Sequence, residues 1–391
     1  VRPCLAYGAS IWLNGIKTKQ NKALLSAVQR LANILITGAM PSTSTTALNK
    51  ITDMIPIEYW LEEEAAKGAL RLQTSGHWQQ EPIVSTRGNL TSHIKLNNDI
   101  IKSLPPLNVE QDSTITSLNV DITFSVEIPD RTLYQELPTD QTTINCYTDG
   151  SKMDGDVGAA VYITKDGETV HEVSYYLGRN STVFQAETYA INQAANLLLQ
   201  EDPKNQNIVI HSDSQAAIMA IDNSKIKSKT TLNAVNSLSA LGSNNRVLLR
   251  WVPAHSGYSG NEKVDSLAKR GAKNSDSTTV TLPIPKVIGY SALRKRTLQK
   301  MDHAWRATPA SHFKRLWRDK FSKELTKMNR DNLRRATQFL TGHAALNYHL
   351  HKYKPEKISA TCPHCLADDE TVNHFMGQCP KWAAQRSALF N

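Results

Sequence analysis

Four acidic residues occupy positions that solvated acids usually avoid. Asp149 lies in Tyr147-Thr148-Asp149-Gly150-Ser151, Glu187 in Gln185-Ala186-Glu187, Asp213 in His211-Ser212-Asp213-Ser214, and Asp265 in Asn261-Glu262-Lys263-Val264-Asp265. Each ends an apolar strand pattern or adjoins the apolar side of a helix pattern. Carboxylates gathered in one place resist ionising together, and divalent cations relieve that repulsion. Two hard cations held by carboxylates roughly 3.5–4 Å apart can cut phosphodiesters. A second constellation follows near the carboxyl end. Cys362, Cys365, His374 and Cys379 have the spacing Cys-x2-Cys-x8-His-x4-Cys. Three thiolates and one imidazole suit a tetrahedral, structural Zn²⁺. His364, inside the first turn, is the poorer ligand.

Alone, Asp-Gly-Ser is a turn and Asn-Glu a helix cap, so the elements must bring the acids together. Residues 144–149 read as a strand stopped by Gly150-Ser151. A second strand covers 157–163, and Lys165-Asp166-Gly167 turns it into a third, 168–176. The helix that follows is capped by Ser181 or Thr182 and carries Ala186, Ala190, Ile191, Ala194, Leu197 and Leu198 as its apolar stripe. Strands at 207–211 and 246–252 and a helix over 261–273 complete the order β-β-β-α-β-α-β-α. The crossovers require parallel neighbours, and sites in open sheets form beyond strand carboxyl ends. Asp149 and Asp213 stand at such ends.

Thr148-Asp149-Gly150-Ser151, Ala186-Glu187, Ser212-Asp213-Ser214 and Val252-Pro253-Ala254-His255-Ser256-Gly257, with Gly260-Asn261-Glu262-Lys263-Val264-Asp265 behind them, resemble the ribonuclease H domain, in the form found in non-LTR (LINE-like) retrotransposon polyproteins. The resemblance covers about residues 144–273. It implies an α/β fold with a mixed five-stranded sheet and flanking helices. It also implies Asp149, Glu187, Asp213 and Asp265 as ligands of two Mg²⁺ or Mn²⁺ ions, and His255 on a loop assisting proton transfer or product release. The implied activity is hydrolysis of the RNA strand of an RNA–DNA hybrid, recognised by shape and 2′-hydroxyls. Arg179, Asn180, Ser181 and Gln185 are candidates for those contacts. Val183 and Phe184 stand where some relatives have Asn and Gln. The competing reading is a non-catalytic nucleic-acid-binding module.

Residues 2–12, 28–30 and 36–39 resemble the segment after the polymerase core of the same polyproteins, and Cys362–Pro380 with Gly342-His343, Leu346-Asn347 and His349-Leu350 resembles their zinc-knuckle-like ending. No Tyr/Phe-x-Asp-Asp turn is present, so a polymerase region would have to come from elsewhere, and it is the partner this resemblance implies. With no initiating Met, the chain reads as a part cut from something longer.

The 391 residues suffice for two or three domains. The expected division is a helical segment over 1–75, a polar linker over 76–143 with an edge strand near 120–126, the nuclease over 144–273, a basic helical region over 274–355 and the zinc-binding segment over 356–391. Helices are expected over 23–36, 57–73 (Leu61, Ala65, Ala69 and Leu72 inward), 290–308, 311–324 and 330–341, with Trp and Phe as core. Residues 276–391 hold 20 Lys/Arg against 9 Asp/Glu, while residues 145–275 balance at 13 each, which places non-specific phosphate contact in the tail. No stretch has the length of a membrane span. Five cysteines, three of them clustered, fit a reducing compartment rather than a disulfide framework, without separating nucleus from cytoplasm.

Overall fold

Lys165-Asp166-Gly167 is a turn because Asp166 and Gly167 both take left-handed backbone, φ +55° and +79°, in the computed structural model. The structure describes residues 2–75, 99–102, 110–114, 122–132, 134, 143–274 and 276–390. These divide into two compact units, Ala66–Leu293 and a second made of Val1–Ala65 with Arg294–Asn391.

The first unit is a mixed sheet of seven strands: β1 Ser125–Glu127, β2 Thr143–Met153, β3 Asp156–Lys165, β4 Glu168–Gly178, β5 Asn207–Ser212, β6 Arg246–Trp251 and β7 Thr278–Thr279, in the order β1-β6-β5-β2-β3-β4-β7. β2, β3 and β4 form an antiparallel meander, and β5, β6 and β1 extend it in parallel from β2. The sheet therefore exceeds the expected five strands. β1 and β7 have three and two residues, too few to show a period in sequence. β1 lies where an edge strand is expected. β2 does not stop at Gly150-Ser151, because β3 keeps pairing with it as far as Met153↔Asp156.

One face of the sheet is sealed by the helices Val183–Glu201 and Lys229–Gly242. Ile144, Ile163, Ile191, Leu198, Ile208, Ile210 and Leu238 form its core, each essentially buried. Each such side chain contributes roughly 1.5–3 kcal/mol. The helix Ser259–Ala272 covers the other face through Val264, Leu267 and Ala268 against Ala160. Thr182 caps the Val183–Glu201 helix in a capping box with Gln185. Ser181 instead donates to the Leu177 carbonyl.

The linker reading of 76–143 needs correction for the described part. Beyond β1, the Asp112 carboxylate accepts bonds from Gln185 Nε2 (3.0 Å), Ser228 Oγ (2.8 Å) and the Thr230 amide (3.0 Å). Ser228 and Thr230 begin the Lys229–Gly242 helix, whose orphan amides attract an anion. The rest of that segment lies outside the described residues.

In the second unit the helix Lys19–Thr37 is capped by Thr18 and closed by Gly38 at φ +62°. Its orientation is unusual. Gln29, Asn33 and Thr37 are buried, while Leu24, Val28, Leu31 and Leu35 are exposed. Gln29 Nε2 and Asn33 Nδ2 both donate to Asn49 Oδ1 at 2.8 Å, so a hydrogen-bonded polar seam holds the helix. Leu61 and Ala65 are buried as their spacing predicts; in the first unit Ala69 is buried too, but Leu72 is not. Ala47 and Ile51 share one core with Phe313, Trp317, Leu325 and Leu333. The expected helix over 311–324 is two, His312–Leu316 and Phe321–Leu325, because Trp317 turns to extended backbone. Arg330–Thr341 forms as expected.

Candidate active site

Thr148 and Ser212 are register partners at the end of the β2–β5 ladder. The next residue on each strand is an aspartate, so the parallel pairing alone places Asp149 and Asp213 side by side. Asp213 is fixed further by Trp251 Nε1, which donates to its backbone carbonyl at 3.0 Å. Glu187 comes from the second turn of the Val183–Glu201 helix. That helix can seat on β2 because residue 150 has no side chain: a Cβ there would lie 2.6 Å from the Glu187 amide nitrogen. Carboxylate oxygens of Asp149, Glu187 and Asp213 lie within 4.8 Å of one another.

Asp265 completes the neighbourhood from a different position. It belongs to an adjoining triple with His255 and Glu262, again within 4.8 Å, and Lys269 one turn on holds its Oδ2 at 2.6 Å. Gly260 lets its helix close over the Tyr147 ring, which a Cβ would meet at 2.3 Å. The expected four-acid cage is thus three convergent carboxylates with a fourth beside them, tethered by a lysine. The sequence reading does not single out Lys269, although its i,i+4 spacing from Asp265 is the signal for such a pair.

Electrostatics mark the cluster as strained. Burial, then Asp213 and Asp265, pushes the Asp149 carboxyl up to about 7. Glu187 is raised well above the usual carboxylate range by burial, then by Asp149 and Asp213. Burial also raises Asp213, with His255 pulling it back. That loop histidine is exposed and held at φ +52°, close enough for its charge to be felt at Asp213. Glu187 Oε2 is buried with no hydrogen-bond partner. An orphaned oxygen amid hard carboxylate donors fits a hard divalent cation such as Mg²⁺ or Mn²⁺.

Of the residues expected to touch 2′-hydroxyls, Gln185 is fully buried and occupied by Asp112 and the Pro283 carbonyl. Ser181 is buried as well. Both have structural roles: Gln185 caps the helix and bonds the connector, and Ser181 donates to the Leu177 carbonyl. Arg179 and Asn180 remain exposed, with Arg179 paired to Asp156 at 3.1 Å.

In the second unit, ligand atoms of Cys362, Cys365, His374 and Cys379 also lie within 4.8 Å of one another. Cys362 Sγ is 3.9 Å from Cys379 Sγ, and Cys365 Sγ is 3.3 Å from His374 Nε2. A tetrahedron with Zn–S bonds of about 2.3 Å has S···S edges of about 3.8 Å, so the donor set fits Zn²⁺. Asp368 lies 3.7 Å from His374 Nδ1, beyond hydrogen-bond distance, and that ring nitrogen is buried without a hydrogen-bond partner. His364 sits edge-on to Trp382 instead, which separates it from the set.

Residues 141–273 match the family model for RNase H. This segment is an RNase H domain. β2 to β6, the three helices packed on them and the three convergent carboxylates fall within the matched residues, while β1 and β7 lie outside. Among solved structures, the chain is similar to RNase H1 from the halophilic archaeon Halobacterium salinarum NRC-1, with 20% identity and a TM-score of 0.29 over 34% of this chain and 99% of that one. It is similar to the N-terminal RNase H domain of a Mycobacterium tuberculosis protein, with 20% identity and a TM-score of 0.28 over 33% and 98%. It is also similar to LC11-RNase H1, determined in complex with an RNA/DNA hybrid, with 22% identity and a TM-score of 0.29 over 34% and 97%.

Proposed function

We propose that the RNase H domain is a metal-dependent endoribonuclease that hydrolyses the RNA strand of RNA–DNA hybrids. The observation that carries this reading is the convergence of Asp149, Glu187 and Asp213 with an orphaned Glu187 oxygen. Asp149, Glu187 and Asp213, with Asp265 beside them, would hold two Mg²⁺ or Mn²⁺ ions. Bound there, such ions make a water nucleophilic and stabilise the departing 3′-oxygen. His255, exposed on a loop beside Asp213, serves proton transfer or release of the product. Arg179 and Asn180 are the surviving candidates for contact with the hybrid at the helix head. The binding-only alternative gives no reason for two buried acids and a half-buried third to stand together.

Phosphate contact is assigned to the second unit. Val1–Ala65 with Arg294–Asn391 holds 25 Lys/Arg against 13 Asp/Glu, while Ala66–Leu293 holds 20 against 23. Its Cys362, Cys365, His374 and Cys379 hold one structural Zn²⁺, which suits a reducing compartment. The order of motifs along the chain supports an origin in a LINE-like retrotransposon polyprotein, with a polymerase region as partner and removal of template RNA as the task. Labelled RNA–DNA hybrid, duplex RNA and duplex DNA, each with Mg²⁺ and with chelator, test the reading. It predicts cutting of the RNA strand of the hybrid alone, abolished by chelator. Cutting that survives chelation, or that favours duplex DNA, contradicts it.

A further inference from the structure

His255 sits on the turn Val252–Gly257, and each end of that turn carries an aromatic ring. Trp251 ends β6 before it, and Tyr258 caps the Ser259–Ala272 helix after it. Both rings meet the same side chain. Tyr134 packs edge-on to Trp251 at 6.3 Å and to Tyr258 at 5.0 Å between ring centroids. The Tyr134 face lies 5.0 Å from the Arg250 guanidinium, and Arg250 is paired to Glu127 of β1 at 3.1 Å. Tyr134 is therefore backed by a buried cation and spans the two roots of the loop. Trp251 is also the residue whose indole nitrogen bonds the Asp213 carbonyl. Between the roots, His255, Ser256 and Gly257 are exposed, with Ser256 Oγ donating to the Ala254 carbonyl at 3.1 Å.

We propose that Tyr134, reaching in from the connector that precedes β2, is a positioning residue that sets where the His255 loop stands relative to Asp213. Edge-on aromatic pairs and a cation over a ring favour one geometry over its neighbours, so one ring bridging both roots fixes the span that the loop must close. This inference rests on the nuclease reading for its catalytic consequence but not for its geometry. It also gives the connector a task that a polar linker would not have.

Two measurements on the full chain test it. The first is hydrogen exchange of the 252–258 amides in wild type, Tyr134→Leu, Tyr258→Leu and Tyr134→Phe. Faster exchange is expected in both leucine variants, with Tyr134→Phe close to wild type because the ring remains. The second is a double-mutant cycle on hybrid cleavage. Tyr134→Leu should lower kcat roughly tenfold with little change in KM, and should add nothing further in a His255→Ala background, since coupled sites are non-additive. Unchanged exchange at 252–258 in both leucine variants overturns the proposal, as does a Tyr134→Leu loss that simply adds to the His255→Ala loss. If the wild-type chain does not cut hybrid at all, the nuclease reading fails, and the exchange measurement still decides whether Tyr134 holds the loop.

Discussion

Gly150 and Glu187 touch backbone to backbone: the space for a Cβ on Gly150 is taken by the Glu187 amide nitrogen at 2.6 Å and by the Ala186 Cβ at 2.8 Å. The glycine after the first aspartate thus sets how closely the helix carrying the second acid can approach. Gly150→Ala must push the Val183–Glu201 helix off β2. Overpacking of this kind costs about 1–3 kcal/mol, and moving Glu187 away from Asp149 should reduce hybrid cleavage by more than the stability loss alone explains. Thermal melts alongside single-turnover cleavage check this. A variant as stable and as active as wild type would show that the close approach is not limiting.

The charge cluster makes a pH prediction with a definite sign. Asp149 titrates near 7 when folded, against about 4 for an exposed aspartate. The fold favours its protonated form, so without divalent ions the contribution of Asp149 to stability is full below about 4 and is lost as pH rises toward 7. The loss is of order 2–4 kcal/mol before other groups are counted. Asp149→Asn should remove much of that slope and be more stable than wild type at pH 8 in chelator. Denaturant melts of both proteins across pH test it, and stabilities of wild type and Asp149→Asn that run parallel between pH 5 and 8 in chelator contradict it. Adding Mg²⁺ should raise the wild-type melting temperature more at pH 8 than at pH 5, because a ligand that binds only the folded, ionised cluster stabilises it by mass action.

Much of this site is legible in the sequence because its signals are local. Thr182 and Gln185 announce a helix start, Asp166-Gly167 announces a hairpin, and Asp149 and Asp213 end apolar runs that pair as neighbours. What is hidden depends on partners far along the chain. Nothing near Asp112 foretells that it caps the Lys229–Gly242 helix, and β7 is too short for a period to form. The apolar positions of residues 23–36 mark a helix, yet Leu24, Val28, Leu31 and Leu35 are exposed and the Gln29–Asn33–Asn49 network faces inward. Gln185 reads as a substrate contact only while its buried bond to Asp112 is unknown.

The zinc site carries its own test. Zinc binding and local folding are linked, so Cys379→Ser should lose stoichiometric zinc and speed hydrogen exchange over about the last 30 residues. The RNase H domain should keep its melting transition. Metal analysis showing one zinc per chain in that variant would falsify the ligand assignment.

Lys323, Lys327 and Arg335 are exposed in the basic unit. Replacing all three with Gln should weaken hybrid binding and flatten its dependence on salt. The log–log slope changes by roughly 0.9 for each phosphate no longer neutralised on a B-form duplex, and a comparable change is expected on the hybrid. Binding titrations over a range of salt concentrations measure this directly. An unchanged slope places the phosphate-binding surface on other residues.

The most direct measurement of the central claim is cleavage of a labelled RNA–DNA hybrid in Mg²⁺ by the wild-type chain and by Asp149→Asn, with both proteins shown to be folded. The account predicts RNA-strand cutting by the wild type and a loss of roughly a hundredfold to a thousandfold in the variant, the scale expected when charge stabilisation of a transition state is removed. Equal cutting by the two proteins, or none by a folded wild type, contradicts it.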